Sequence, residues 1–141
     1  MTVLTGRLRR AVGSRGDEGA SSIEMVLYTP LLMLIIFVTV QFALNWHGSS
    51  VAGAVAREAA RTVRVGGGTP VAIAEAEVRG LEYADAIGGA ALRDVTVDVV
   101  PLPGDRIQVT VRGRANEIVD GLAPTVKATV EGPVEVFRPD T

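Results

Sequence analysis

Between Ile23 and Leu44 the chain reads IEMVLYTPLLMLIIFVTVQFAL, almost without a polar break. These 22 residues, at ~1.5 Å rise each, span ~33 Å as a helix, enough to cross the hydrocarbon core of a bilayer. A cleavable secretory signal carries an apolar stretch of only about 7–15 residues, so the run is too long for that reading. It reads as one transmembrane helix. Trp46 and His47 follow it directly and suit the headgroup layer. Arg7, Arg9, Arg10 and Arg15 precede the run, and Arg57, Arg61 and Arg64 follow it. That balance narrowly favours a cytoplasmic N-terminus and an extracytoplasmic C-terminal domain.

The remainder of a 141-residue chain has room for one compact domain. The expected division is a basic cytoplasmic leader over 1–19, a transmembrane helix over 20–45 and a small external domain over 46–141. Fourteen basic and 16 acidic side chains give a net charge of −2, so there is no global electrostatic case for nucleic acid. The absence of cysteine removes disulfides, thiolate metal sites, thiol nucleophiles and a cysteine-linked lipid anchor. A single histidine, His47, cannot build a multi-histidine metal site. The acids Glu75, Glu77, Glu82, Asp85, Asp94 and Asp98 read as solvated faces of a helix and a strand. No convergent set of catalytic groups is visible. The expectation is a protein that is not an enzyme, without metal, cofactor or small-molecule substrate.

Glu24 is second in the apolar run, with Asp17 and Glu18 upstream. An acid at the centre of a bilayer costs ~2.5–3.5 kcal/mol on insertion scales, and less near an interface. One reading is that Glu24 marks the headgroup boundary. The other comes from its surroundings: an arginine-rich leader, then Gly19-Ala20-Ser21-Ser22-Ile23-Glu24, then the apolar helix. This arrangement resembles a type IV prepilin signal. The resemblance implies a prepilin peptidase that cuts between Gly19 and Ala20 on the cytoplasmic face, leaving Glu24 fifth in the new chain. Cleavage would free a cationic α-amino group at Ala20. A carboxylate packed among helices needs a counter-charge, and the resemblance supplies it as the Ala20 amine of a neighbouring subunit. Removing residues 1–19 takes away four arginines and two acids, so the net charge moves from −2 to −4.

Pro30 stands six residues after Glu24, and a proline inside a helix generally kinks it. An acid, five residues, a proline, a leucine-rich run and a polar-Phe pair together resemble the TadE/TadG-like family of pseudopilins from tight-adherence, Flp-type pilus systems. That family often has glutamate where this chain has Gln41 before Phe42, a departure that removes the basis for a second buried acid. The resemblance implies other pilins or pseudopilins, pilus machinery, a prepilin peptidase and membrane lipid as partners.

The helical pattern continues past Trp46. Val51, Val55, Ala59 and Val63 fall on one face, and Gly48, Ala52, Ala56 and Ala60 form a small-residue stripe beside it. The stripe can serve the chain's own strands or a neighbouring helix. Arg57, Arg61 and Arg64 take the opposite side, either as a solvated face or as a contact to a partner or lipid headgroups. A helix over 23–64 would be ~63 Å long. The A-R-E-A-A-R segment also resembles TadE-like proteins, in which such a helix leads into a small external domain.

Gly66-Gly67-Gly68 ends this helix and reads as a flexible hinge, since no G-K-[ST] follows to make it a phosphate loop. Thr69-Pro70 supplies an N-cap and a first-turn proline. Val71, Ala74, Val78, Leu81 and Ala84 then keep helical spacing as far as Ile87, before Gly88-Gly89. After Arg93 the period becomes two. Val95, Val97 and Val99, a turn over 101–105, and Ile107, Val109 and Val111 predict a hairpin. One helical turn is expected near 116–123. Val126, Ala128 and Val130 predict a third strand, extended past the Gly132-Pro133 break by 134–137. The fold class is α+β: a long N-terminal transmembrane helix running into a small external domain with a second helix and a three-stranded antiparallel sheet.

Two functions remain open on these residues. One is a minor pseudopilin or pilus-assembly protein, processed after Gly19 and packed through its N-terminal helix. The other is an uncleaved, signal-anchored protein whose external domain binds a partner, in which case Gly19 and Glu24 are incidental.

Overall fold

Two kinds of periodicity divide the chain, and a computed structural model shows what each becomes. It describes residues 17–118, 121 and 124–134. The helical pattern forms α1, Asp17–Val65, and α2, Pro70–Gly88. The period-two segments form β1, Leu92–Leu102, β2, Arg106–Ala115, and β3, Thr125–Pro133. The strands pair antiparallel in the order β1-β2-β3. This is the α+β architecture expected. The chain divides into two units between Phe37 and Val38, within α1.

In the first unit α1 is helical from Asp17 and stays exposed over the whole of its described surface, from Ser22 to Phe37. The second unit holds the rest of α1, then α2 and the sheet. Its core is aliphatic and small. Val51, Val55, Ala59 and Val63 are buried together with Ala52, Ala56 and Ala60, so both stripes of α1 are used inside the domain. They pack with Val99 of β1, Ile107, Val109 and Val111 of β2, and Val126 of β3. The register explains this set: Val99 pairs with Val109 and Val109 with Val130, which lines one face of the sheet with aliphatic side chains. The other face is polar, with Arg106 and Gln108 on Glu131 at 3.0 and 2.8 Å.

The second helix turns a different face inward from the one its large side chains predict. Val71 is 76% exposed and Val78 57%. The buried residues are Ala72, Ala76, Gly80, Ala84 and Gly88, spaced by four. The cause is close approach. A Cβ at Gly80 would lie 3.0 Å from Val97 Cγ2 and 3.4 Å from Ala59 Cβ, so only small residues fit where α2 meets β1 and α1. Burial of large side chains is favoured in general, but here backbone proximity excludes them.

The glycine triplet is a formed cap rather than a hinge. The Gly68 amide donates to Val63 O at 3.0 Å and the Gly67 amide to Arg64 O at 3.2 Å, the paired bonds of a Schellman motif. Gly67, at φ +69°, supplies the left-handed residue the motif needs. Thr69 caps α2 as expected, its hydroxyl accepting from the Ala72 amide at 3.2 Å, with Pro70 in the first turn.

The strands run further than their valines suggest. β1 continues through Pro101 and Leu102, which pair with Ile107 and Arg106, so the turn shrinks to Pro103-Gly104-Asp105. Pro101 is tolerated because β1 is an edge strand. A register shift between Arg93 and Thr96, with Asp94 at φ +52°, marks a bulge near the start of β1. β3 passes through Gly132 and Pro133, which pair with Ile107 and Arg106, so they do not break it. Of the expected extension, Val134 is outside the strand, and 135–137 lie outside the described residues. Residues 116–118 and 121 are not helical. The rest of the helical turn expected there, 119, 120, 122 and 123, also lies outside the described residues.

Candidate functional site

The sequence places its candidate site along α1, from the Gly19–Ala20 bond to Arg64. Both residues of that bond lie in the first turns of α1. Glu24 is one turn further on, and its side chain is exposed. From Ser22 to Val40 every residue of the helix is exposed, including Leu27, Leu31, Leu34, Ile35 and Phe37. An apolar window of mean hydropathy 2.2 falls here, and none of it is buried. A surface of this kind has to be covered by lipid or by other helices.

Pro30 lies inside α1, and the helix is continuous through it. Proline has no amide hydrogen, so the carbonyl four residues back loses its usual donor. Beside that gap the Thr29 hydroxyl donates to Met25 O at 2.6 Å. Such back-bonding keeps a hydroxyl satisfied within an apolar helix and favours bending there.

Gln41 belongs to the second unit. Its Oε1 accepts from the Ile118 amide at 3.4 Å, which ties the link after β2 to the helix. The polar residue that departs from the family pattern therefore has a structural contact in this chain. Its signal in the sequence was the interruption of the apolar run. Just beyond it Phe42 and Trp46 remain exposed around Ala43, an apolar corner at the end of the run.

The three arginines do not share one environment. Arg57 and Arg61 are exposed, whereas Arg64 is half-buried. The Arg64 stem runs over β3, with its Cδ 3.6 Å from where a Cβ on Gly132 would sit. Arg61 grips Glu58 through two bonds of 3.2 and 3.1 Å. That hydrogen bond, helped by the charge of the guanidinium, holds the Glu58 carboxyl below its ordinary pKa and raises that of Arg61. A groove of about 420 Å³ between α1 and α2 is lined by Glu58, Arg61, Glu75 and Arg79, with Val65 at one end.

Fold and helix together define a protein with an N-terminal apolar helix fit to anchor it in a membrane, continuous with a small α+β domain. Residues 19–61 match the model of a family described as TadE-like protein. Over those residues the chain is similar to TadE-like proteins. The match, less than half of the chain, begins at Gly19, passes through the apolar run and ends at Arg61 on the helix of the second unit. No similar curated protein and no similar solved structure is found.

Proposed function

We propose that the chain is a minor pseudopilin or pilus-assembly protein of a tight-adherence type system, non-catalytic, with its N-terminus in the cytoplasm and its α+β domain outside. The observation that carries this reading is the TadE-like match itself, which contains Gly19, Ala20, Glu24 and Pro30 together with the apolar helix. A prepilin peptidase cuts after Gly19, and the freed Ala20 amine gives Glu24 of a neighbour its counter-charge. The lateral partners are other pilins or pseudopilins. The exposed apolar surface of α1 supports this use, because it is covered equally well by lipid before assembly and by neighbouring helices after it. The α+β domain, built on the same helix, is what the pilus machinery meets.

The alternative, an uncleaved single-pass anchor with a partner-binding domain, uses the same fold and makes no demand on Gly19 or Glu24. Mass and N-terminal sequencing of the protein from its native membrane decide between them. The expected chain begins at Ala20, and Gly19→Ala removes that form. A chain that retains residues 1–19 overturns processing and leaves the anchored binding domain.

A further inference from the structure

The polar face of the sheet is charged differently at its two ends. At one end opposite charges meet, where Arg106 and Gln108 of β2 both hold Glu131 of β3. At the other end like charges meet. Arg112 stands directly across from Lys127, and Arg114 directly across from Arg93. All four side chains are exposed. Like charges opposite each other on neighbouring strands are destabilising. Two acids offset part of this, both at Arg114: Asp94 at 3.9 Å and Glu117 at 3.7 Å. Arg93 donates to the neutral side chain of Asn116 at 3.3 Å. Asp98, the next acid on β1, stands opposite Thr110, one step diagonally from Arg112. Among the described residues, neither Arg112 nor Lys127 has an ion pair.

Contacts inside the second unit put this end of the sheet next to the bilayer. A Cβ on Gly48 would lie 3.0 Å from Ala115 Cβ and 3.1 Å from Ala91 O, so α1 meets the Leu92–Ala115 end of the sheet there. Gly48 is four residues beyond Leu44, where the apolar run ends, or ~6 Å along the helix. Below it Gln41 holds the Ile118 amide, and Val38, Val40, Phe42 and Trp46 are exposed. The second unit thus has an apolar end of its own, and the basic strip starts just above it. The headgroup layer outside the hydrocarbon core is about 5–8 Å deep on each side. Arg93 and Arg114, one step from the Gly48 contact, lie near that depth. Arg112 and Lys127 stand ~7 Å further along the strands. Long side chains and a Debye length of ~8 Å bring them within reach of surface charge.

We infer that this strip is a site for anionic phospholipid headgroups. Phosphate oxygens of the membrane that anchors α1 lie against Arg112 and Lys127 and beside Arg93, and hold the α+β domain down on the bilayer. A phosphate supplies the counter-charge that the cross-strand neighbours do not, and a guanidinium offers it two parallel N–H donors. One occupant, the bilayer, covers both the basic strip and the adjoining apolar residues Phe42 and Trp46. The inference rests on anchoring through α1 and is independent of cleavage after Gly19.

The test uses full-length protein in vesicles of phosphatidylcholine, alone or mixed equally with phosphatidylglycerol. The chain has no cysteine and a single tryptophan. A fluorophore on Thr96→Cys, across from Arg112, therefore reports on the strip, while Trp46 reports on anchoring. Both are read by quenching from lipid with a nitroxide headgroup. Trp46 is expected to be quenched alike in the two vesicles, and the Thr96→Cys label more strongly in the anionic one. Raised salt removes that excess. Arg112→Gln or Lys127→Gln lowers the docking equilibrium about fivefold, and both together ~25-fold, with the melting temperature unchanged. A label on Val71→Cys, at the Gly66 end of the domain, shows no excess. Equal quenching of the Thr96→Cys label in both vesicles, or an excess that survives the double substitution, overturns the inference. So does relief by inorganic phosphate beyond that of chloride at equal ionic strength, which identifies a soluble anion as the occupant. Absence of Trp46 quenching from both vesicles overturns the anchoring itself, and the inference with it.

Discussion

One helix, α1, shows two ways of dealing with apolar surface. From Ser22 to Val40 it carries Leu, Ile, Met and Phe and leaves all of them exposed. From Val51 to Val63 it carries Ala and Val and buries Val51, Val55, Ala59 and Val63 within its own domain. The first stretch is apolar all round, so no single side can satisfy it, and lipid or neighbouring helices must surround it. The second is apolar on one side only, and its short side chains let a sheet and a second helix come close. Side-chain size, more than hydrophobicity, separates the anchor from the core.

A charge placed in each stretch breaks the comparison most directly. Val109→Asp sets a carboxylate against the buried stretch and destabilises the domain by on the order of 3–5 kcal/mol, read as loss of protease resistance while membrane association persists. Leu34→Arg, in the exposed stretch, opposes insertion by about 2.5–3.5 kcal/mol. Its expected effect is a lower membrane-bound fraction with an unchanged fold in the second unit.

A smaller effect sharpens the point about size. Gly80→Val drives methyl groups into Val97, and overpacking of this kind costs about 1–3 kcal/mol, seen as a lower melting temperature. Val78→Ser, on the same helix but facing outward, stays within about 0.5 kcal/mol of the parent. If Val78→Ser proves the more damaging of the two, the inward face of α2 has been misassigned.

Much of this was legible from residue order. The apolar run, the Thr69-Pro70 start of α2, the alternating valines of the strands and the paired stripes of α1 each follow from a local period. The Gly19 to Glu24 motif and Pro30 carried the family resemblance without any structure. The spacing of Val71, Ala74, Val78, Leu81 and Ala84 marked α2 as a helix without saying which face turns inward. A second repeat, Ala72, Ala76, Gly80, Ala84 and Gly88, was present in the same segment. Sequence offers no rule for choosing between them until the spacing of α2 from α1 and β1 is known.

The sequence by itself determined that a helix long and apolar enough for a membrane leads into an α+β domain, because length and hydropathy act locally along the chain. Only the tertiary structure decided that Gln41 meets Ile118 and that the large side chains of α2 face outward. Those outcomes depend on which backbones approach closely enough to exclude a side chain or complete a hydrogen bond, and such distances are set by elements far apart in the sequence.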